Sequence, residues 1–168
     1  GTGVPQFESK REIEDYVRAL GIPYSIVRPP SFMANLEANW ESATRGVYRT
    51  AFPGALFRHH IAPTDIGRIV AEAFDDPDGW IGRELDIAEH FTSYAGIAAA
   101  MSRQIGRPVV YEQIPWEDYT ATATSTAIAR EAWYLANPVS VDMDALHEEF
   151  PWLMTVEEYL IDAGWAER

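Results

Sequence analysis

Cysteine is absent from the sequence, as is any apolar run long enough to cross a bilayer. The lack of cysteine excludes a disulfide framework, a thiolate nucleophile and a thiolate metal site. No segment has the pattern of a secretory signal, and together with the missing apolar run this favours a cytoplasmic location without a membrane partner.

Basic residues are scarce. The 168 residues include 13 Lys and Arg against 26 Asp and Glu, which gives a formal net charge of -13. A surface this negative repels phosphate backbones and anionic lipid. Nucleic acid is therefore not an expected partner.

The composition is that of a packed globular protein. Hydrophobic residues make up 47% of the chain and aromatic residues 12%. At this length the simplest organisation is a single domain over residues 1–168, large enough to bury a core.

The first element is predicted to be an amphipathic helix. Residues 9–12 (SKRE) fit a capping box, which marks a helix start. Gly21 and Pro23 favour an end near Leu20. Between these signals the apolar positions recur at helical spacing, at Ile13, Tyr16, Val17 and Leu20.

The order of the following elements predicts an α/β fold. A short β-prone run over 24–27 follows the helix after a tight turn, and a helix, turn and strand in this order suggest a parallel sheet. Residues 45–57 are predicted to be irregular. Further strands are expected at 58–62, 82–88 and 108–112, with helices capped by Thr64 or Asp65 and by Thr92 or Ser93, then helices from Pro115 onward.

Two adjacent histidines raise the question of a metal site. Successive side chains of a strand point to opposite faces, so His59 and His60 cannot both bind one metal ion. We therefore expect no metal. One of the two either lines a pocket or is a structural histidine near Asp65.

A longer run of residues resembles a known family. Residues 21–36 (GIPYSIVRPPSFMANL), preceded by 7–10 (FESK) and 13–16 (IEDY), resemble the NmrA-like branch of the atypical short-chain dehydrogenase/reductases. The likeness continues through 61–67 (IAPTDIG) and 82–87 (GRELDI).

The resemblance implies a fold and its division. The fold class would be α/β, as the C-terminal part of a Rossmann-like doubly wound parallel sheet with a small helical substrate-binding region. Residues 1–90 would form the end of the Rossmann core, and residues 91–168 the substrate-binding region.

The Gly-rich loop that holds the pyrophosphate in this family has no clear counterpart. Gly1-Thr2-Gly3 is only a fragment of such a loop. By the resemblance, Gly1 falls just after the fifth strand, so we expect the dinucleotide-binding half to lie elsewhere. NADP or NAD would bind only with that half. Strand 24–27 would otherwise have an open edge, covered by the missing half or by a second copy.

The resemblance also implies the cofactor-side residues. Lys10 matches the lysine that holds the nicotinamide ribose, although it could equally be a solvated lysine. The family tyrosine four residues earlier is replaced by Gln6, so no catalytic residue is assigned. Pro29, Pro30, Ser31 and Phe32 would border the nicotinamide; the alternative is a rigid Pro-Pro connection with Phe32 in the core.

On the substrate side, the expected residues are Met33, Trp40, Phe57 and His60. The function implied is an oxidoreductase acting on a small apolar or aromatic substrate, or a redox sensor. Two alternatives stay open: a non-catalytic interaction protein, favoured by the missing tyrosine and loop, and a scaffold reused for non-redox chemistry.

Overall fold

The structure is a computed structural model that describes residues 1–167. Its helices are α1 (Pro5–Ala19), α2 (Trp40–Thr44), α3 (Pro63–Asp75), α4 (Pro77–Trp80), α5 (Tyr94–Ile105), α6 (Trp116–Thr122), α7 (Ser125–Ala136), α8 (Met143–Glu149) and α9 (Val156–Asp162). A 3-10 helix spans Met33–Asn39. In this described part of the chain, no helix has the length and apolarity that a membrane crossing requires.

The strands are β1 (Ile26–Arg28), β2 (Ser31–Phe32), β3 (Val47–Thr50), β4 (Phe57–Ile61), β5 (Glu84–Asp86), β6 (His90–Ser93) and β7 (Val110–Gln113). They form three small sheets with mainly parallel pairing: β1 beside β5, β2 beside β4, and β3 beside β7. The antiparallel pair is β4 with β6. The predicted α/β class is confirmed.

Helix α1 begins earlier than the capping box predicts. It starts at Pro5, whose fixed φ suits the first helical position and whose missing N–H costs nothing there. The Ser9 hydroxyl donates to the Gln6 carbonyl at 3.1 Å instead of capping a helix. The capping-box prediction is therefore wrong. The predicted end of α1 is confirmed: Leu20 is its C-cap residue, and Gly21 follows in the left-handed conformation at φ +65°.

Strand β3 lies in the segment predicted to be irregular, so that prediction is wrong for Val47–Thr50. The strand is only four residues long, so its β-prone residues Val47, Tyr48 and Thr50 give a weak local signal. It forms because β7 lies beside it, with Arg49 donating to Glu112 across the pair at 2.9 Å. The formation of β3 thus depends on pairing with β7, which lies about sixty residues further along the chain.

Two apolar cores hold the elements together. One surrounds α5 and α9, and includes Tyr94, Met101 and Trp165. The other lies beneath α3 and α8, where Ile69 and Phe150 are buried. Both cores contain residues from before and after position 90.

Asp65 does not cap α3, although Thr64 or Asp65 was predicted to do so. The cap residue of α3 is Ala62, which makes no side-chain cap, and Asp65 is buried in the first turn. Its carboxylate accepts a hydrogen bond from the Met154 amide at 2.7 Å, which ties the C-terminal segment to α3. The other predicted cap is confirmed, since Ser93 Oγ accepts from the Gly96 amide at 3.0 Å.

Glu89 is a second buried carboxyl at this junction. It is 6% exposed, and its Oε2 has no hydrogen-bond partner within residues 1–167. Burial, with the nearby carboxylates of Glu158 and Asp65, raises the pKa of Glu89 to about 7. The two neighbouring imidazoles are His90 and His147, the latter 3.7 Å from Oε1.

This raised pKa makes stability depend on pH. The unfolded carboxyl ionises near 4.5, so the folded state loses stability as the pH rises from there through about 7. A shift of this size corresponds to about 3 kcal/mol above pH 7. Replacing the carboxyl with a neutral amide removes that loss. We expect Glu89→Gln to raise the Tm at pH 8 and to leave it nearly unchanged at pH 5.

Thermal melts followed by circular dichroism at the two pH values check this expectation. Glu148→Gln, on the exposed side of α8, is the matched control and should change neither melt. An equal Tm change for Glu89→Gln at both pH values would contradict it.

Candidate functional site

A cleft of about 640 Å³ lies next to the carboxyl end of β1, and is called the central cleft below. Its walls come from α1, the segment that continues from β1 into the 3-10 helix, strands β3 and β4, the start of α5, and α7. The carboxyl ends of parallel strands are where α/β proteins bind ligands.

Five of the residues singled out from the sequence line the central cleft: Gln6, Pro30, Ser31, Phe32 and His60. Lys10 is exposed on α1, one turn after Gln6. Because residues four apart share a helix face, Lys10 lies on the side of α1 that carries Gln6. It is the single lysine of the chain.

The remaining predicted residues lie elsewhere. Pro29 and Phe57 border a smaller cleft of about 280 Å³, called the side cleft. Met33 is fully buried in the α5 core. Trp40 packs edge-on against Trp165 with ring centroids 5.1 Å apart. The proposed roles of these four residues stay predictions.

Arg58 is the main charged residue of the central cleft. Its guanidinium carbon lies 4.0 Å from the ring centre of Tyr134 and 4.8 Å from that of Phe52. The side chain is only 15% exposed. Contacts of this kind stabilise a partly desolvated cation. Arg58 is thus held in place by aromatic rings from two different parts of the chain.

Glu131 of α7 provides the counter-charge. Its Oε2 is 3.4 Å from Nη1 of Arg58, and its Oε1 accepts from Nε of Arg130 at 2.9 Å. Arg130 in turn donates to the side-chain oxygen of Gln6 at 3.3 Å. Gln6, at the position of the family tyrosine, is therefore connected to Arg58 through Arg130 and Glu131. The ion pairs of Glu131 with the two arginines are called the ion-pair chain below.

Tyr94 places a hydroxyl group beside Arg58. It accepts a hydrogen bond from Nη1 of Arg58 at 3.0 Å, and its ring stacks on Phe52 with centroids 5.1 Å apart. Burial raises the pKa of Tyr94 to about 12, although the Arg58 charge opposes the rise. Burial likewise raises the pKa of Tyr48, which also lines the cleft. Both phenols are protonated at neutral pH.

His60 is buried at the floor of the central cleft. It is 3% exposed, and neither ring nitrogen has a hydrogen-bond partner among the described residues. Burial lowers the pKa of His60 to about 3, and the nearby Arg58 charge acts in the same direction. The ring is therefore neutral, with one nitrogen able to donate and the other able to accept.

Some residues of the cleft were not predicted. Arg58 shares a strand face with His60, because side chains two apart in a strand point the same way. This alternation would have allowed Arg58 to be predicted as a neighbour of His60 from the sequence. Glu131 and Tyr94 had no such signal, since their contacts with Arg58 span 73 and 36 residues.

The residues near the cleft can be compared with the parts of a nicotinamide dinucleotide. The 30–32 segment lines the cleft, and Lys10 lies on the side of α1 that carries Gln6. The Gly1–Gly3 turn does not fit a pyrophosphate, because its Thr2 and Gly3 amides already donate to the Glu8 carboxylate. Residues 1–167 therefore contain no pyrophosphate-binding loop of the family type. They contain no cluster of three side chains suited to a metal ion.

The class that these features define is that of α/β proteins with mainly parallel strand pairing, which bind ligands beside the carboxyl ends of their strands. A family model described as the NmrA-like family matches residues 2–160, and the chain belongs to this family. The nitrogen metabolite repression protein nmrA of Emericella nidulans is 27% identical over 126 residues, which cover 67% of this chain and 35% of that protein.

Solved structures show the same fold. An NADPH-dependent quinone oxidoreductase from Escherichia coli superimposes with a TM-score of 0.77 at 17% identity, covering 96% of this chain and 62% of that one. The negative transcriptional regulator NmrA in complex with NADP gives a TM-score of 0.65 at 19% identity, covering 92% and 55%. The chain therefore spans about a third of the curated relative and little more than half of these structures.

The ion-pair chain in the cleft predicts a stability effect. Glu131→Gln leaves Arg58 and Arg130 side by side without a counter-charge. Breaking such a partly buried pair should reduce the free energy of unfolding by about 2 kcal/mol. Urea denaturation measures this loss. Glu12→Gln, exposed on α1, is the control and should cost under about 0.5 kcal/mol. Equal losses for the two variants would contradict the role given to Glu131.

Proposed function

We propose that the chain is the substrate-side half of an NAD(P)-dependent oxidoreductase of the NmrA-like family, acting on a small aromatic substrate. One observation carries the proposal. Gln6, the 30–32 segment and His60, which are far apart in sequence, border the same cleft beside the strand edge where a nicotinamide would lie.

The cofactor, when bound, would supply a hydride at the nicotinamide ring. Lys10 would hold the ribose, and the Pro30–Phe32 segment would cover one side of the ring. Gln6 cannot give up a proton as a phenol does, and it is engaged by Arg130. The protonated hydroxyl of Tyr94 is a polar group of the cleft that can donate a hydrogen bond to a substrate oxygen.

A conjugated substrate suits this arrangement. The rings of Phe52, Tyr94 and Tyr134 form one wall of the cleft. Two of the proteins with this fold are described as an NADPH-dependent quinone oxidoreductase and a triphenylmethane reductase of Citrobacter sp.. Quinones and triphenylmethanes are conjugated ring systems, which supports the choice of an aromatic substrate.

Cofactor binding tests the proposal. We expect the natural protein, isolated together with any segment that precedes Gly1, to bind NADPH in a calorimetric titration. Lys10→Ala should weaken that binding at least tenfold, because the ribose loses its partner. Arg11→Ala, the exposed neighbour that pairs with Glu8 and Asp15, is the matched control and should bind normally. Undetectable NADPH binding, or full binding by Lys10→Ala, would contradict the proposal.

A second proposal concerns an association surface, and the exposed face of α1 supports it. None of the residues of α1 is buried. Ile13, Tyr16 and Leu20 are 55%, 66% and 48% exposed on one side of the helix. Strand β1 pairs with β5 on one side, and no other described strand lies against it. An apolar helix face and an open strand edge favour association.

The occupant we assign to this surface is a preceding segment of the same protein, and a second copy when that segment is missing. Residues 1–168 alone should then form a dimer of 18.9 kDa chains. Tyr16→Glu should shift the dimer toward the monomer, because a charge would be buried in the contact. Light scattering coupled to size exclusion measures the mass.

Phe74→Glu is the control for this experiment. Phe74 is the most exposed large apolar residue among those described, and it lies on α3, away from α1. Its substitution should leave the dimer intact. A monomeric parent chain, or a dimer unaffected by Tyr16→Glu, would rule out the proposed surface.

A further inference from the structure

The central cleft carries one uncompensated positive charge. Its charged side chains are Arg58, Arg130 and Glu131, two cations against one carboxylate. The chain as a whole has a formal net charge of -13. A positive cleft in so acidic a protein concentrates an anion at one place on the surface.

Glu131 is shared by the two arginines, and Arg58 keeps hydrogen-bond donors that Glu131 does not use. Glu131 is bound closely to Arg130, with Nε to Oε1 at 2.9 Å, whereas its contact with Arg58 is 3.4 Å. Nη1 of Arg58 also donates to Tyr94, but Nε and Nη2 form no hydrogen bond with any described residue. These two donors form the fork that binds a carboxylate through two parallel hydrogen bonds.

His60 supplies a second polar point that is independent of Arg58's charge. Both of its ring nitrogens are buried and lack hydrogen-bond partners among the described residues, and the residue as a whole is 3% exposed. A buried polar group without a partner costs free energy unless something in the cleft satisfies it. A neutral imidazole offers one donor and one acceptor on different sides of the ring, so a ligand oxygen can bond to one of the two nitrogens.

The distance between Arg58 and His60 sets the distance between the two polar groups of the ligand. Arg58 and His60 lie two residues apart on the same face of β4, which separates their Cα atoms by about 7 Å. Tyr94 lies between them, bonded to Arg58 and edge-on to His60 with ring centroids 6.5 Å apart. The Tyr94 hydroxyl proton has no acceptor within residues 1–167, so it too is available to a ligand.

We infer that the central cleft binds an aromatic carboxylate whose ring carries a hydroxyl or carbonyl group away from the carboxylate. The carboxylate lies on Nε and Nη2 of Arg58, and the second oxygen lies on His60. This inference rests on the proposed function and deepens it by naming the substrate class of the same cleft: it adds a carboxylate and a second oxygen to the aromatic substrate expected from the sequence.

The test compares three probes on the 168-residue chain by isothermal titration calorimetry. They are 4-hydroxybenzoate, its neutral analogue 4-hydroxybenzamide, and benzoate. We expect 4-hydroxybenzoate to bind at least tenfold more tightly than the amide, because the amide has no charge for Arg58. Benzoate should bind about fivefold more weakly than 4-hydroxybenzoate, because it leaves His60 without a partner.

Two variants assign the contacts. Arg58→Met keeps the apolar stem between the aromatic rings, and should abolish the preference for acid over amide. His60→Leu should remove the preference of the cleft for 4-hydroxybenzoate over benzoate and leave benzoate affinity unchanged. Arg45→Met, exposed beyond the end of α2, controls for general attraction of anions and should bind all three probes as the parent does.

The inference is overturned if the parent chain binds the acid and the amide equally, or binds no probe at millimolar concentration. Retained selectivity in Arg58→Met would also overturn it. Should Arg58→Met fail to fold, the selectivity of the parent chain decides the question alone. Because these titrations contain no nucleotide, failure of NADPH binding and failure of acid binding are separate results.

Discussion

The cleft depends on a single cation held away from bulk water. Arg58 lies between the rings of Phe52 and Tyr134, and its guanidinium bonds the Tyr94 hydroxyl at 3.0 Å. A desolvated cation is costly unless aromatic faces and a counter-ion accompany it. The loop after β3, the start of α5 and the middle of α7 must therefore converge on β4, and their convergence creates the cleft.

Strand β4 borders both clefts. Arg58 and His60 line the central cleft, and Arg58 also borders the side cleft. Phe57 and His59 stack near Phe91 beside the side cleft. In the proposed function, Gln6 and Lys10 of α1 would lie on the nicotinamide side of the central cleft, and the aromatic and polar lining would receive the substrate.

The sequence predicted what local signals determine. The end of α1 at Gly21, the Ser93 cap and the α/β class follow from caps, turn residues and element order, and the structure confirms them. Strand β3, the burial of Asp65 and the pairing of Arg58 with Glu131 were missed, since each depends on a partner far along the chain. Residue patterns predict a helix end from nearby residues, whereas the burial of His60 depends on elements that are distant in sequence.

The measurement that tests the central claim most directly is a crystal structure of the chain with 4-hydroxybenzoate bound. The account predicts the carboxylate within hydrogen-bond distance of Nε and Nη2 of Arg58, with the phenolic oxygen at a ring nitrogen of His60. A ligand bound in the side cleft, or one whose carboxylate points away from Arg58, would contradict it.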